Sequence, residues 1–261
     1  MPLNPFYIRK QAGFFEQQYM AEPTPLFTYQ PTPQGVIALC EHYSEKYQIN
    51  LTCVDFIPLI DGLNDSSLYF SYLHQHPDLL TVPEGQAKGF VLSYGQNHAV
   101  PILVYAEAGE KHMIIFDSNS GASIKGYYKI ANFFPDFHVY LNDGSRQSDG
   151  LSCITDAICI LKEALQIEDL IPLVRSKIIE EHPAFRKTQF FKTDKPEHFN
   201  VFSMPEQLLL TAQVSAYVTK AGADLAVTLR SDQSLGYYRE QFRMEVILLK
   251  NGEPDFKEIN G

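Results

Sequence analysis

The stretch Gly89 to Asp117, GFVLSYGQNHAVPILVYAEAGEKHMIIFD, holds three β-rich runs: Gly89 to Tyr94, His98 to Tyr105 and His112 to Asp117. Gly95-Gln96-Asn97 separates the first two and Glu107-Ala108-Gly109-Glu110 the last two. Both spacers are turn-forming, so the stretch predicts an antiparallel meander. Antiparallel neighbours joined by a tight turn bring the start of one strand beside the end of the next. His98 opens the second strand and Asp117 closes the third, so a pair 19 residues apart in sequence is expected to be adjacent in space.

C-terminal to the meander the pattern predicts a helix over Ser123 to Phe133, a short strand over Phe137 to Leu141 and a polar loop over 142–150. A second helix starts at Ser152. Its Ile154, Ala157, Ile158, Leu161 and Leu165 fall at i, i+3, i+4, i+7 and i+11, one apolar stripe running to about Gln166. Cys153 is then in the first turn. A thiol is a useful nucleophile as thiolate, and the orphan N–H groups of a helix N-terminus favour negative charge. A neighbouring His can take the thiol proton while a carboxylate on the other ring nitrogen fixes the tautomer. His98 and Asp117 suit these parts. Gln147, six residues before the cysteine in the polar loop, is a candidate donor to the oxyanion of a tetrahedral intermediate.

N-terminal to the meander, Val36, Ile37, Leu39, Cys40, Tyr43 and Tyr47 recur at helical intervals within 35–48, and 51–59 turns β-like. Pro2, Pro5, Pro23, Pro25, Pro31 and Pro33 forbid long helices over 1–35, which reads as an extended arm with little regular structure. Beyond Pro172, helical patterns occupy 173–181 and 205–220, with Pro205 at N1 and Gly222 as a stop, and 244–249 reads as β. The division expected is a Pro-rich arm (1–35), a core (36–170) and a C-terminal extension packed on it (171–261).

Composition narrows the function classes. The chain has 261 residues with 21 Lys+Arg against 31 Asp+Glu, a formal charge of −10, which argues against a nucleic-acid partner. Hydrophobic residues at 45% suffice for a packed core. Cys40, Cys53, Cys153 and Cys159 have neither the density nor the spacing of a disulfide scaffold or a zinc site, which favours a reducing compartment. No apolar run approaches the roughly 20 residues that span a bilayer, and the N-terminus makes no secretory apolar region. His74 and His76 sit at what reads as a helix end, with no carboxylate cluster to complete a metal site. No glycine-rich phosphate loop occurs. Arg175, Lys177, Arg186, Lys187, Lys192 and Lys195 thicken one stretch, the one candidate for anion contacts, although such a stretch is more often a solvated face.

The order His98, Asp117, Gln147, Cys153, with Gln six positions before a Cys that opens a helix, resembles the clan of ubiquitin-like-protein proteases. That clan includes SUMO and NEDD8 proteases, the adenovirus protease, bacterial effector deubiquitinases and YopJ-type acetyltransferases. The FDSNS segment at Phe116 to Ser120 is similar to the clan's apolar-Asp-Ser segment, and the resemblance covers about residues 50–170. It implies an α+β, papain-related fold: a small mixed or antiparallel central sheet flanked by helices, with the nucleophile at a helix N-terminus and a mostly helical C-terminal extension. By the same implication His98 is the general base, Asp117 its orienting partner, Gln147 an oxyanion-hole donor and Cys153 the nucleophile, with no metal or cofactor.

Two positions depart from the eukaryotic pattern. Ala99 stands where Trp usually follows the His, and Ser152-Cys153-Ile154 replaces Asp-Cys-Gly. The expectation is therefore a monomeric cysteine isopeptidase, a bacterial effector secreted into host cytoplasm, hydrolysing the C-terminal glycine bond of ubiquitin or a ubiquitin-like modifier. One alternative is YopJ-type acetyl transfer from acetyl-CoA to Ser, Thr or Lys. That class commonly has Glu where Asp117 stands and needs a basic pocket for inositol hexakisphosphate, which so acidic a chain makes harder to build. The other alternative is a catalytically decayed, modifier-binding module.

Overall fold

The computed structural model describes residues 7–11, 27–54, 72–94, 98–118, 127, 131–144, 146, 153–185, 197–209, 211, 244 and 247. Two strands, β1 (Tyr7–Gln11) and β2 (Phe27–Pro31), pair antiparallel. The arm predicted to lack regular structure thus holds a ribbon: proline is compatible with edge strands, and Pro31 ends one. Helix α1 (Pro33–Tyr47) follows at once. Thr32 caps it by accepting from the Gly35 amide at 3.2 Å, Pro33 occupies the first turn where its missing N–H costs nothing, and Gln48 closes it in the left-handed region at φ 54°.

The main sheet has six strands in chain order: β3 (Leu51–Val54), β4 (Ala87–Tyr94), β5 (His98–Glu107), β6 (Glu110–Ile115), β7 (Phe137–Asn142) and β8 (Phe199–Phe202). The meander β4-β5-β6 is antiparallel as its turns predict, while β3, β7 and β8 join parallel. Ala108 (φ 53°) and Gly109 (φ 78°) make the β5-β6 turn, both in the left-handed region that a two-residue hairpin of this twist requires. The Gly95-Gln96-Asn97 turn lies outside the described residues, as do most of the predicted 123–133 helix, of which Tyr127 is helical, and 55–59 of the predicted first strand. Parallel neighbours need crossovers, and the one from β7 to β8 carries α2 (Cys153–Ala164) and α3 (Leu170–Arg175).

Side chains alternate across the sheet, so it separates two apolar clusters. Ala99, Leu103, Ile114 and Phe116 face α1 and α2, whereas Val100, Ile102, Val104, Met113 and Ile115 face Leu73, Tyr127 and Phe134. Helix α2 was expected to bury one stripe. It is buried nearly all round, because the sheet, α1 and the short helix α4 (Glu206–Leu209) enclose it. Beyond 170 the described residues add a strand as well as helix. β8 extends the sheet, and Ile178 bridges to Phe202. The β reading of 244–249 is corrected, since Met244 and Ile247 are helical; a short apolar run does not distinguish a buried helix from a strand.

Candidate active site

The site lies at the end of the sheet where β5 begins, β6 ends and α2 begins. The β5-β6 register pairs Ile102 with Ile115, and Phe116 still donates its amide to the Pro101 carbonyl at 3.0 Å. Continued by one step, that register sets Asp117 opposite Val100, a diagonal neighbour of His98 on the same face. Their side chains meet there: His98 Nε2 and Asp117 Oδ1 are 3.0 Å apart, the His side chain 25% exposed and the Asp 2%. Cys153, the first residue of α2, stands close enough to act on the His98 ring. Burial by itself would push the imidazole down, but the bonds to Asp117 and Cys153 and the charge of both push it up to about 10 from 6.5.

Two residues outside the sequence reading complete the surroundings of Asp117. Tyr127 donates its hydroxyl to Asp117 Oδ2, so both carboxylate oxygens are engaged. Asn142, at the end of β7, donates from Nδ2 to the Asp117 carbonyl at 3.1 Å and to the Gly144 carbonyl at 3.2 Å. Neither has a sequence signal: Tyr127 reads as one aromatic of a helix, and Asn142 as the start of a polar loop. That loop is also less exposed than its composition suggests, for Arg146 is fully buried and bonded to Asp156. Gln147 lies outside the described residues.

The remaining candidates separate from this site. All four cysteines are free thiols. Cys40 is buried against α1's apolar neighbours, and burial pushes its thiol far up, out of the nucleophilic range. His74 donates from Nδ1 to the Phe133 carbonyl at 3.1 Å, beyond the strands of the site. Among the described residues no group of three or more His, Cys, Asp or Glu is arranged to hold a metal ion, and no helix is long and apolar enough to cross a membrane. Within the basic stretch, Arg175 is held by Glu110 at 2.5 Å and Tyr140 at 3.2 Å, while Arg186, Lys187, Lys192 and Lys195 lie outside the described residues. Ala99, in the position of the eukaryotic Trp, is fully buried in the cluster that includes Cys153 and Ile154.

No protein-family model and no curated protein sequence matches the chain. Solved structures do. HopZ1a in complex with IP6 and CoA is similar over 92% of this chain and 98% of that one, at 10% identity and a TM-score of 0.55. HopZ1a in complex with IP6 is similar over 85% and 86%, at 11% identity and 0.52. AvrA delL154 with IP6 and CoA is similar over 83% and 86%, at 13% identity and 0.48. The fold is thus the mixed α/β, papain-like one that HopZ1a has, and in this chain it is a six-stranded sheet flanked by helices.

Proposed function

We propose that the chain is an acyl-transfer enzyme of the YopJ type, a bacterial effector that moves acetyl from acetyl-CoA through Cys153 to a Ser, Thr or Lys of a host protein. The observation that carries this reading is the line Asp117, His98, Cys153 on the fold of a structure solved with CoA. It displaces isopeptidase activity as the leading expectation. Ala99 adds support: a position fully buried under α2 has no room for the Trp that helps SUMO proteases cover a Gly-Gly tail.

The thiol proton of Cys153 passes to His98, whose basicity Asp117 raises, and the sulfur adds to the acetyl carbonyl. Gln147 and backbone amides receive the oxyanion. Collapse breaks the C–S bond to CoA, and the His98 proton goes to the departing CoA sulfur. The neutral imidazole then takes the proton of the acceptor hydroxyl or amine as it attacks the thioester, releasing acetylated acceptor and returning the proton to the site. Asp117, itself held by Tyr127, keeps the ring oriented throughout. Inositol hexakisphosphate accompanies CoA in the HopZ1a complex. Here the Arg146 guanidinium is buried on Asp156, and Arg175 is paired with Glu110 at the surface.

Incubation with labelled acetyl-CoA, with and without inositol hexakisphosphate, tests the reading. Label should appear on Cys153 and be absent from Cys153→Ala. Hydrolysis of ubiquitin-like conjugates is the second reading, favoured by Asp117 where the acetyltransferases commonly have Glu. Ubiquitin, SUMO and NEDD8 probes with a C-terminal electrophile distinguish it: adducts on Cys153 with no acetyl label would overturn acetyl transfer. Modifier binding that persists in Cys153→Ala, with neither reaction in wild type, would indicate a decayed module.

A further inference from the structure

We propose that Arg146 and Asp156 form a positioning brace that holds the Cys153 end of α2 in line with Asp117 and His98, an inference that rests on the catalytic reading above. The backbone N–H of Arg146 donates to the carbonyl of Ser118, the residue after Asp117, at 2.7 Å. Its side chain donates from Nε to Asp156 Oδ2 at 3.2 Å and from Nη2 to Asp156 Oδ1 at 3.1 Å. Asp156 lies in the first turn of α2, three residues after Cys153. One residue therefore joins the segment that carries the carboxylate to the helix that carries the thiol. Two of the three remaining N–H donors are also bonded, one on Nη1 to the Leu208 carbonyl at 3.2 Å and one on Nη2 to Thr211 Oγ1 at 2.8 Å, which seats the guanidinium in one orientation.

Both partners are almost wholly buried, at 0% and 1% exposure. A buried ion pair is on average no more stabilising than apolar residues of the same volume, so stability alone is a weak account of it. What the pair has that an apolar contact lacks is direction: a planar fork on a carboxylate fixes distance and angle, whereas packed methyl groups tolerate sliding. Direction matters most here because a displacement of about 1 Å between reacting groups can lower a rate on the order of a hundredfold.

The test compares wild type with Arg146→Met/Asp156→Leu, which replaces the pair by apolar side chains, and with Arg146→Lys, which keeps the charge but not the fork. Three quantities are read on the full chain: the unfolding midpoint, the rate of Cys153 alkylation by iodoacetamide mapped by mass spectrometry, and the NMR titration of the His98 ring. The double variant should unfold cooperatively near the wild-type midpoint. Its Cys153 should alkylate about tenfold more slowly, and its His98 midpoint should fall from about 10 toward 6.5. Arg146→Lys should show the same two changes to a smaller degree. A folded double variant with wild-type alkylation and titration would overturn the brace; if it does not fold, Arg146→Lys decides by the same readouts. His98→Ala separates the two ideas. A wild type no faster than His98→Ala counts against the catalytic reading, whereas a wild type faster than His98→Ala but equal to the brace variants counts against the brace alone.

Discussion

At the scale of single residues, Asp117 is the most constrained group in the site. It is buried and accepts from His98 and Tyr127 through different oxygens, so each donor limits where the other can be. Tyr127→Phe removes one donor to the buried Asp117 carboxylate, at a cost of about 1–3 kcal/mol. Urea unfolding should show that loss, together with slower acetyl labelling of Cys153; a variant as stable and as fast as wild type would show that Tyr127 does not hold the acid. His98 gives a signed pH dependence. Its pKa is raised on folding, so the stability it contributes is complete below 6.5 and is lost as pH rises through about 10. The stability difference between wild type and His98→Asn should shrink over that range, and a difference that grows would contradict the assignment.

At the scale of elements, α2 has to lie close on β4 and β5 for Cys153 to reach His98 at the end of the sheet. Gly89 permits that approach: a Cβ there would stand 2.8 Å from Leu165 Cδ1 and 3.3 Å from Leu161 Cδ2. Alanine would displace only the end of a leucine, but Gly89→Val overpacks the contact. It should lower stability by about 1–3 kcal/mol, more than Gly89→Ala, as measured by denaturant midpoints. Much of this level is legible in the sequence. The meander, the 137–141 strand and the Cys153 helix all follow from period, turn composition and one apolar stripe. The parallel addition of β3, β7 and β8 does not, because parallel pairing depends on crossovers that leave no local pattern. Nor does the seat of Arg146, which shares a polar loop with Asn142 and Asp143 and reads as surface until the fold brings Asp156 and Leu208 to it.

At the scale of the whole molecule, the two ends of the sheet behave differently. The end opposite the site holds a buried histidine, His112, at 1% exposure. Around it stand Glu110 on its own strand, Tyr105 on β5, His138 and Tyr140 on β7, and Arg175 on α3. Burial, with the nearby positive charge of Arg175 and His138, pushes His112 down to about 4. A base whose pKa falls on folding binds more protons unfolded, so stability drops as pH falls from 6.5 to about 4. The loss should approach about 3 kcal/mol at the acid end. In His112→Leu that part of the acid sensitivity should be missing from denaturant midpoints taken between pH 7 and pH 4, and an unchanged slope would exclude His112 as its source.

Read alone, the chain specifies the elements whose pattern is local: strands bounded by turn residues, a helix with one apolar stripe, and the order His98, Asp117, Cys153. What surrounds them is set by tertiary packing. Tyr127, Asn142 and the Arg146–Asp156 pair reach the site from segments that no periodicity links to it. The cause is range. Turn and helix preferences act over a few residues, whereas burial and the pairing of polar groups depend on which distant segments the packed core brings together.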